Sequence, residues 1–119
     1  MGKYTQLFID QTRLYVKTIM ESLPLDPGRE KGDLKDCSRL AHSIKGMALF
    51  EEQSAIAGLA YALEQGIEVL NSVAEEEELL SLLAGGIDLL QRMIDEVERQ
   101  GFAKGDPTSI VEAIVREIG

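Results

Sequence analysis

Apolar residues recur every three or four positions along most of the chain, which is the spacing of one face of an α-helix. The spacing is interrupted at proline, glycine, serine and asparagine, and these breaks divide the chain into five segments. No segment shows convincing alternation of apolar and polar residues, so strands are not expected. The predicted fold class is all-α: an up-down antiparallel four-helix bundle with a short fifth C-terminal helix, because short connectors join the helices.

The helix boundaries follow from residues that favour helix ends. Pro24 and the pair Pro27-Gly28 end the first helix and begin a polar loop. Asp33 and Ser54 are predicted N-caps of the second and third helices, and Gly101 is the predicted residue after the fourth. The helices are therefore expected over about 4–23, 33–50, 54–70, 74–100 and 107–118.

Each of the first four helices has an apolar face that is expected to form the core. Gly85-Gly86 interrupts the fourth helix and marks either a bend or a close helix contact. The fifth helix either caps the bundle or begins a linker. The inward residues are Leu7, Phe8, Tyr15, Ile19 and Leu23; Leu34, Cys37, Ala41, Ile44 and Ala48; Ile56, Leu59, Leu63, Ile67 and Leu70; and Leu79, Leu83, Ile87, Leu90, Ile94 and Val97.

Composition narrows the range of functions. The 119 residues suit a single domain over 1–119, with a core over about 4–101 and a linker plus short helix over 102–119. A net charge of −9 argues against nucleic acid and against an anionic membrane as partners. One cysteine excludes an internal disulfide, and no apolar stretch is long enough to span a membrane, so a cytoplasmic location is expected. No metal-binding pattern is present.

The most informative stretch contains the only histidine, His42. In a helix, His42, Lys45 and Gly46 lie on one face because they are three and four residues apart. An imidazole is a good nucleophile near neutral pH, and a lysine one turn away can offset the charge of a phosphoryl group. Gly46 leaves room for a partner to approach, and with Ser38 and Leu49 it is predicted to form part of a docking face.

Glu64 is the candidate residue for orienting the imidazole. The second and third helices are joined by a short connector, so they are expected to be antiparallel neighbours. Counted outward from that connector, His42 and Glu64 lie within about three residues of the same level, or roughly 5 Å along the axis. A carboxylate there would fix the tautomer of the imidazole and raise its nucleophilicity.

His42-Ser43-Ile44-Lys45-Gly46, followed by Ala48, resembles the signature of histidine-containing phosphotransfer (HPt) domains. With Ala62-Leu63-Glu64 and the opening segment 4–16, the sequence is most similar to the N-terminal HPt domains of CheA-type chemotaxis histidine kinases. The resemblance covers about residues 4–101. It implies that His42 is phosphorylated from ATP and Mg by a histidine kinase catalytic domain. A response-regulator receiver domain would then take the phosphoryl group onto an aspartate.

The resemblance therefore implies no cofactor in this domain, because ATP and Mg belong to the partner domains. Three features depart from the family pattern. Met47 stands where glycine or serine is usual, Glu51-Glu52 replaces a glycine-containing turn, and Tyr61 occupies a position where CheA proteins often have a second histidine. These departures bear on the partner and on the transfer rate.

Two alternatives remain open at the level of sequence. One is a helical-bundle adaptor that binds a partner protein without phosphorylation, in which case His42→Gln would leave binding intact. The other is a degenerate HPt domain that keeps the fold but has lost phosphotransfer.

Overall fold

The computed structural model describes residues 2–25, 30–73 and 76–119 and contains five α-helices. Their bounds are α1 Thr5–Ser22, α2 Leu34–Phe50, α3 Ser54–Ser72, α4 Glu77–Gln100 and α5 Thr108–Ile118. The described residues contain no strand, so the all-α prediction is confirmed. The predicted loop residues Pro27-Gly28 and the predicted helix start at Ala74 lie outside the described residues.

The helix ends confirm two of the three predicted capping residues, Asp33 and Gly101. The Asp33 carboxylate accepts a hydrogen bond from the backbone N–H of Asp36 at 3.0 Å, as an N-cap does. Gly101 takes a left-handed conformation (φ +89°) directly after α4, which glycine adopts without steric cost. Ser54, however, lies inside α3, and the N-cap position belongs to Gln53, so the prediction for Ser54 was wrong.

The first four helices form an up-down bundle in which neighbours along the chain are neighbours in space. α1 packs on α2 and α4, and α3 packs on the same two helices, which closes the ring. α5 lies outside this ring against α3 and α4. Of the two roles considered for the fifth helix, packing on the bundle is therefore the one observed. No helix among the described residues is both long enough and apolar enough to cross a membrane.

The core confirms every predicted inward residue of α2, α3 and α4. The predicted face of α1 was partly wrong, because Leu7 is 55% exposed. Phe8 and Ile19 are buried as predicted, but the inward face also includes Ile9, Thr12 and Val16. Leu23 is buried and Tyr15 is partly buried as predicted, so Leu7 is the one predicted residue that lies off the buried face of α1.

Two glycines bring α3, α4 and α5 close together. A Cβ atom on Gly66 of α3 would lie 2.6 Å from Leu83 Cδ2, and one on Gly86 of α4 would lie 2.9 Å from Leu63 Cδ2. The same two positions lie beside Ile114 of α5. α4 is continuous through Gly85-Gly86, so the pair marks a close helix contact and not an interruption.

A single arginine links α1 to α4 on the surface. The Arg13 guanidinium donates to Glu98 through both terminal nitrogens, at 2.9 and 3.0 Å, and to Asp95 at 2.7 Å. Such paired hydrogen bonds between a guanidinium and a carboxylate fix geometry as well as charge. Hydrogen bonds from Arg13 and then from Gln6 lower the pKa of Glu98.

Candidate functional site

His42 lies near the middle of α2, on the side of the helix that faces away from the core. The buried positions Ala41 and Ile44 hold this part of α2 against the bundle. His42 points outward, and 63% of its side chain is exposed. The imidazole is therefore accessible to another protein, while the helix that carries it is fixed by packing.

The connector between α2 and α3 sets the register of the site. The backbone N–H of Gln53 donates to the carbonyl of Ala48 at 2.8 Å, and the N–H of Glu52 donates to that of Leu49 at 3.1 Å. Glu52 has φ +59°, a left-handed conformation that favours glycine. Glu52 therefore stands at a backbone position that a glycine would adopt with less strain.

The tight connector aligns residues of α2 with residues of α3 in three successive pairs. The Ser38 hydroxyl donates to Glu68 at 3.0 Å, and His42 Nδ1 lies 3.2 Å from both carboxylate oxygens of Glu64. One turn closer to the connector, the Lys45 ammonium lies 4.9 Å from the centre of the Tyr61 ring. Each step along α2 is matched by an equal step back along α3.

The contact with Glu64 determines which nitrogen of His42 is free. An ionised carboxylate can only accept hydrogen bonds, so Nδ1 carries the ring proton and donates it toward Glu64. Nε2 then keeps its lone pair. Glu64 is held well, because only 12% of its side chain is exposed, against 63% for His42. The structure thus brings together the predicted nucleophile and the predicted orienting residue.

The predicted docking residues have different environments. Gly46 is exposed, and a Cβ atom placed on it would meet nothing within 4 Å, while Leu49 is 56% exposed. Ser38 is only 7% exposed, and its hydroxyl is bonded to Glu68. Ser38 was predicted to lie on the exposed docking face of α2. This prediction was wrong, because the contact between α2 and α3 covers the Ser38 side chain.

An apolar groove of about 450 Å³ opens beside Gly46. Phe50, 72% exposed, and Tyr4, 49% exposed, form its rim with an edge-to-face ring contact whose centroids are 6.1 Å apart. Leu7, the misassigned residue of α1, also lines it, and the partly buried Met47 contributes to its wall. We call Tyr4, Leu7, Gly46, Leu49 and Phe50 the apolar surface. Exposed apolar residues grouped in this way are typical of protein–protein contact sites.

Sequence reasoning missed parts of this site that a register argument would have found. Tyr61 was noted only as a departure, although the count from the connector that pairs His42 with Glu64 also pairs Lys45 with Tyr61. The contribution of Tyr4 and Leu7 carried no comparable signal, because it depends on how α1 crosses the end of α2. Among the described residues, no three His, Cys, Asp or Glu side chains are grouped so as to hold a metal ion.

Comparison with known proteins identifies a family for this sequence and a similar solved fold. The sequence model of the family described as "Hpt domain" matches residues 3–100. The chemotaxis protein CheA of Bacillus subtilis (strain 168) is 27% identical over 115 residues, which cover 92% of this chain but only 17% of that protein. The phosphorylated P1 domain of CheA3 in complex with CheY6 from R. sphaeroides has a similar fold. Its TM-score is 0.83 at 19% identity, with 99% of this chain and 97% of that chain covered.

Proposed function

The chain belongs to the Hpt domain family, and on that premise we propose that it is a histidine phosphotransfer module of two-component signalling. His42 accepts a phosphoryl group from a histidine kinase and passes it to an aspartate of a response regulator. The observation that carries this proposal is the exposed imidazole whose Nδ1 lies 3.2 Å from both oxygens of Glu64. That contact leaves Nε2 as the nucleophile.

The phosphoryl step is balanced on the atoms of the site. The Nε2 lone pair forms a bond to phosphorus, and the bond from phosphorus to the donor's leaving atom breaks with its electron pair on that atom. The ring keeps the proton on Nδ1 and gains positive charge, which the Glu64 carboxylate stabilises through its hydrogen bond. Onward transfer reverses the roles. An aspartate oxygen bonds to phosphorus, and the electron pair of the N–P bond returns to Nε2.

Lys45 supplies a positive charge one turn from the imidazole on α2. A phosphoryl group adds roughly −1.5 to −2 charge near pH 7, and Lys45 is one turn from His42. We assign Lys45 to stabilising this charge. The ammonium contacts the Tyr61 ring. No carboxylate among the described residues forms an ion pair with it, so its charge is not neutralised there.

The partner proteins follow from the similar proteins. One solved structure with a similar fold is a phosphorylated domain in complex with CheY6, and the Bacillus subtilis relative is a chemotaxis protein, CheA. By analogy, the partners of this chain are a histidine kinase catalytic domain, which holds ATP and Mg, and a receiver domain. The domain needs no cofactor of its own in this proposal, and its place is the cytoplasm, where such kinases meet their regulators.

The apolar surface is the proposed docking site for the receiver domain. Its α2 residues begin one turn after His42, and Gly46 permits the partner's backbone to approach the phosphohistidine. Leu49 and Phe50 then supply exposed apolar area. Ser38 lies on the other side of His42 along α2. Its buried hydroxyl is bonded to Glu68 of α3 and is not available to a partner protein.

The first experiment is phosphorylation by phosphoramidate, a small donor that needs no kinase. Nε2 attacks the phosphorus of the zwitterionic donor, and ammonia leaves with the P–N electron pair. Intact-mass spectrometry at neutral pH is expected to show one acid-labile adduct of about 80 Da on the wild-type chain and none on His42→Gln. A folded wild-type chain without an adduct contradicts the proposal and favours an adaptor or a degenerate HPt domain.

The docking proposal has a matched pair of variants. Gly46 and Gly58 are both exposed helical glycines with nothing within 4 Å of an added Cβ atom, but only Gly46 lies beside His42. Phosphotransfer from the loaded chain to a receiver domain is expected to slow at least ten-fold in Gly46→Gln, because the longer side chain keeps the partner away. Gly58→Gln is expected to transfer like the wild type. Equal rates for both variants contradict docking at Gly46.

A further inference from the structure

Lys45 of α2 contacts an aromatic ring of α3. Its ammonium lies 4.9 Å from the centre of the Tyr61 ring, inside the distance of about 6 Å at which a cation is attracted to an aromatic face. Tyr61 is 50% exposed and belongs to the first half of α3, so the contact joins the two helices of the site. The described residues give Lys45 no competing ion pair.

The fixed register between α2 and α3 makes this contact part of the site and not an incidental surface contact. Lys45 is three positions after His42 on α2, and Tyr61 is three positions before Glu64 on α3. The two pairs therefore lie one helical turn apart on the same seam between the helices. Glu64 positions the imidazole from α3, and Tyr61 contacts the neighbouring cation from the same helix.

We infer that Tyr61 is a positioning residue that holds the Lys45 ammonium on the α2–α3 seam, ready to face a phosphoryl group on His42. This inference rests on the proposed phosphotransfer function. A lysine side chain is a flexible four-carbon stem with a compact charge at its end, and ordering it costs conformational entropy. Because the Tyr61 ring already restricts the ammonium, less conformational entropy is lost when the transition state forms.

The geometry also defines what Tyr61 contributes chemically. The attraction comes from the face of the ring, so the phenol hydroxyl is not required for it. Phenylalanine keeps that face and the same shape, whereas leucine keeps apolar bulk and removes the π system. This pair of substitutions separates ring positioning of Lys45 from simple packing of residue 61.

The test measures the rate of His42 phosphorylation by phosphoramidate in Tyr61→Leu and Tyr61→Phe, each with Lys45 intact and with Lys45→Met. With Lys45 present, Tyr61→Leu is expected to slow phosphorylation about two- to five-fold, the effect of a cation–π contact at an exposed site. Tyr61→Phe is expected to be phosphorylated at the wild-type rate. In the Lys45→Met background, Tyr61→Leu is expected to have no further effect, because its action passes through Lys45.

A structural readout accompanies the rates. Protons of the Lys45 side chain held over an aromatic face are shifted upfield in NMR spectra, and this shift is expected in wild type and Tyr61→Phe but not in Tyr61→Leu. An unchanged rate in Tyr61→Leu, or equal slowing with and without Lys45, overturns the inference and leaves phosphotransfer at His42 standing. A wild-type chain that takes no phosphoryl group overturns both, even with the shift present.

Discussion

At the scale of single residues, the function depends on how Glu64 holds the His42 ring. The carboxylate accepts from Nδ1 and is mostly buried, whereas the imidazole is mostly exposed. Glu64→Ala is expected to slow phosphorylation by phosphoramidate about ten-fold, since a hydrogen bond to a charged group contributes about 1.5–3 kcal/mol and part of this is lost to solvent here. Mass spectrometry over time gives the rate.

Glu64→Gln is the matched control for this prediction. Its amide oxygen can still accept from Nδ1 and keep the tautomer, but it lacks the negative charge that stabilises the phosphorylated ring. The expected order of rates is wild type, then Glu64→Gln, then Glu64→Ala. If the alanine variant matched the wild type, Glu64 would be an ordinary surface glutamate without a role in orienting His42.

The sequence predicted single residues well where their position follows from one short connector. His42 and Glu64 are close because few residues separate α2 from α3, so a count along two helices gives their relative height. Burial of polar residues was harder to predict. Thr12 is 0% exposed and Ser38 is 7% exposed, although both are hydroxyl residues, because neighbouring helices cover them. The sequence around a residue does not show how far the side chains of a neighbouring helix extend over it.

At the scale of elements, the two glycines of α3 have opposite roles. Gly58 has open space around it, so Gly58→Ala is expected to raise the free energy of unfolding by about 1 kcal/mol through helix propensity alone. Gly66→Ala is expected to lower it by about 1–2 kcal/mol, because the new methyl group would lie 2.6 Å from the fully buried Leu83 and overpacking outweighs propensity. Urea unfolding of both variants provides the comparison, and stabilisation by both would contradict close packing of α3 on α4.

The helix ends and the Gly85-Gly86 pair show what the sequence can and cannot predict about a helix. Helix extents followed from periodicity, and Asp33 and Gly101 were correctly placed at helix ends because capping uses only nearby atoms. Gly85-Gly86 was ambiguous, since a bend and a close contact have the same local sequence. The structure distinguishes them through Leu63 and Ile114, which come from other helices.

At the scale of the whole molecule, the link between α1 and α4 makes stability depend on pH. Hydrogen bonds from Arg13, and then from Gln6, lower the pKa of Glu98 in the folded state. A lowered folded pKa contributes stability that is complete above the unfolded pKa of about 4.3 and is lost as pH falls through the folded value. The difference in urea midpoint between wild type and Glu98→Gln is therefore expected to be constant from pH 7 to 5 and to shrink below pH 4.5.

Arg13→Met provides the control for that pH dependence. With the guanidinium removed, Glu98 loses its main hydrogen-bond donor, so adding Glu98→Gln to Arg13→Met is expected to change the midpoint less than it does in the wild type. A pH-dependent difference of the same size in both backgrounds would mean that Glu98 acts through another group.

The attachment of α5 is the other feature that only the whole molecule reveals. Ile114 is 0% exposed and lies over the space that Gly66 and Gly86 leave between α3 and α4. Ile114→Ala is expected to lower the free energy of unfolding by about 2–4 kcal/mol, the cost of a cavity at a buried isoleucine. Val115→Ala, at a position that is 53% exposed, is expected to change it by less than about 0.5 kcal/mol.

Phosphorylation of His42 gives the second readout for Ile114→Ala. α5 packs on α3 and α4, while the imidazole lies on α2 and its partner Glu64 faces that helix. The variant is therefore expected to lose stability and keep the wild-type rate with phosphoramidate under conditions where it remains folded. If Ile114→Ala matched Val115→Ala in urea, α5 would contribute little to the bundle. If the folded Ile114→Ala variant were phosphorylated more slowly, packing of α5 would affect the position of Glu64 through α3, since Gly66 is two positions from Glu64.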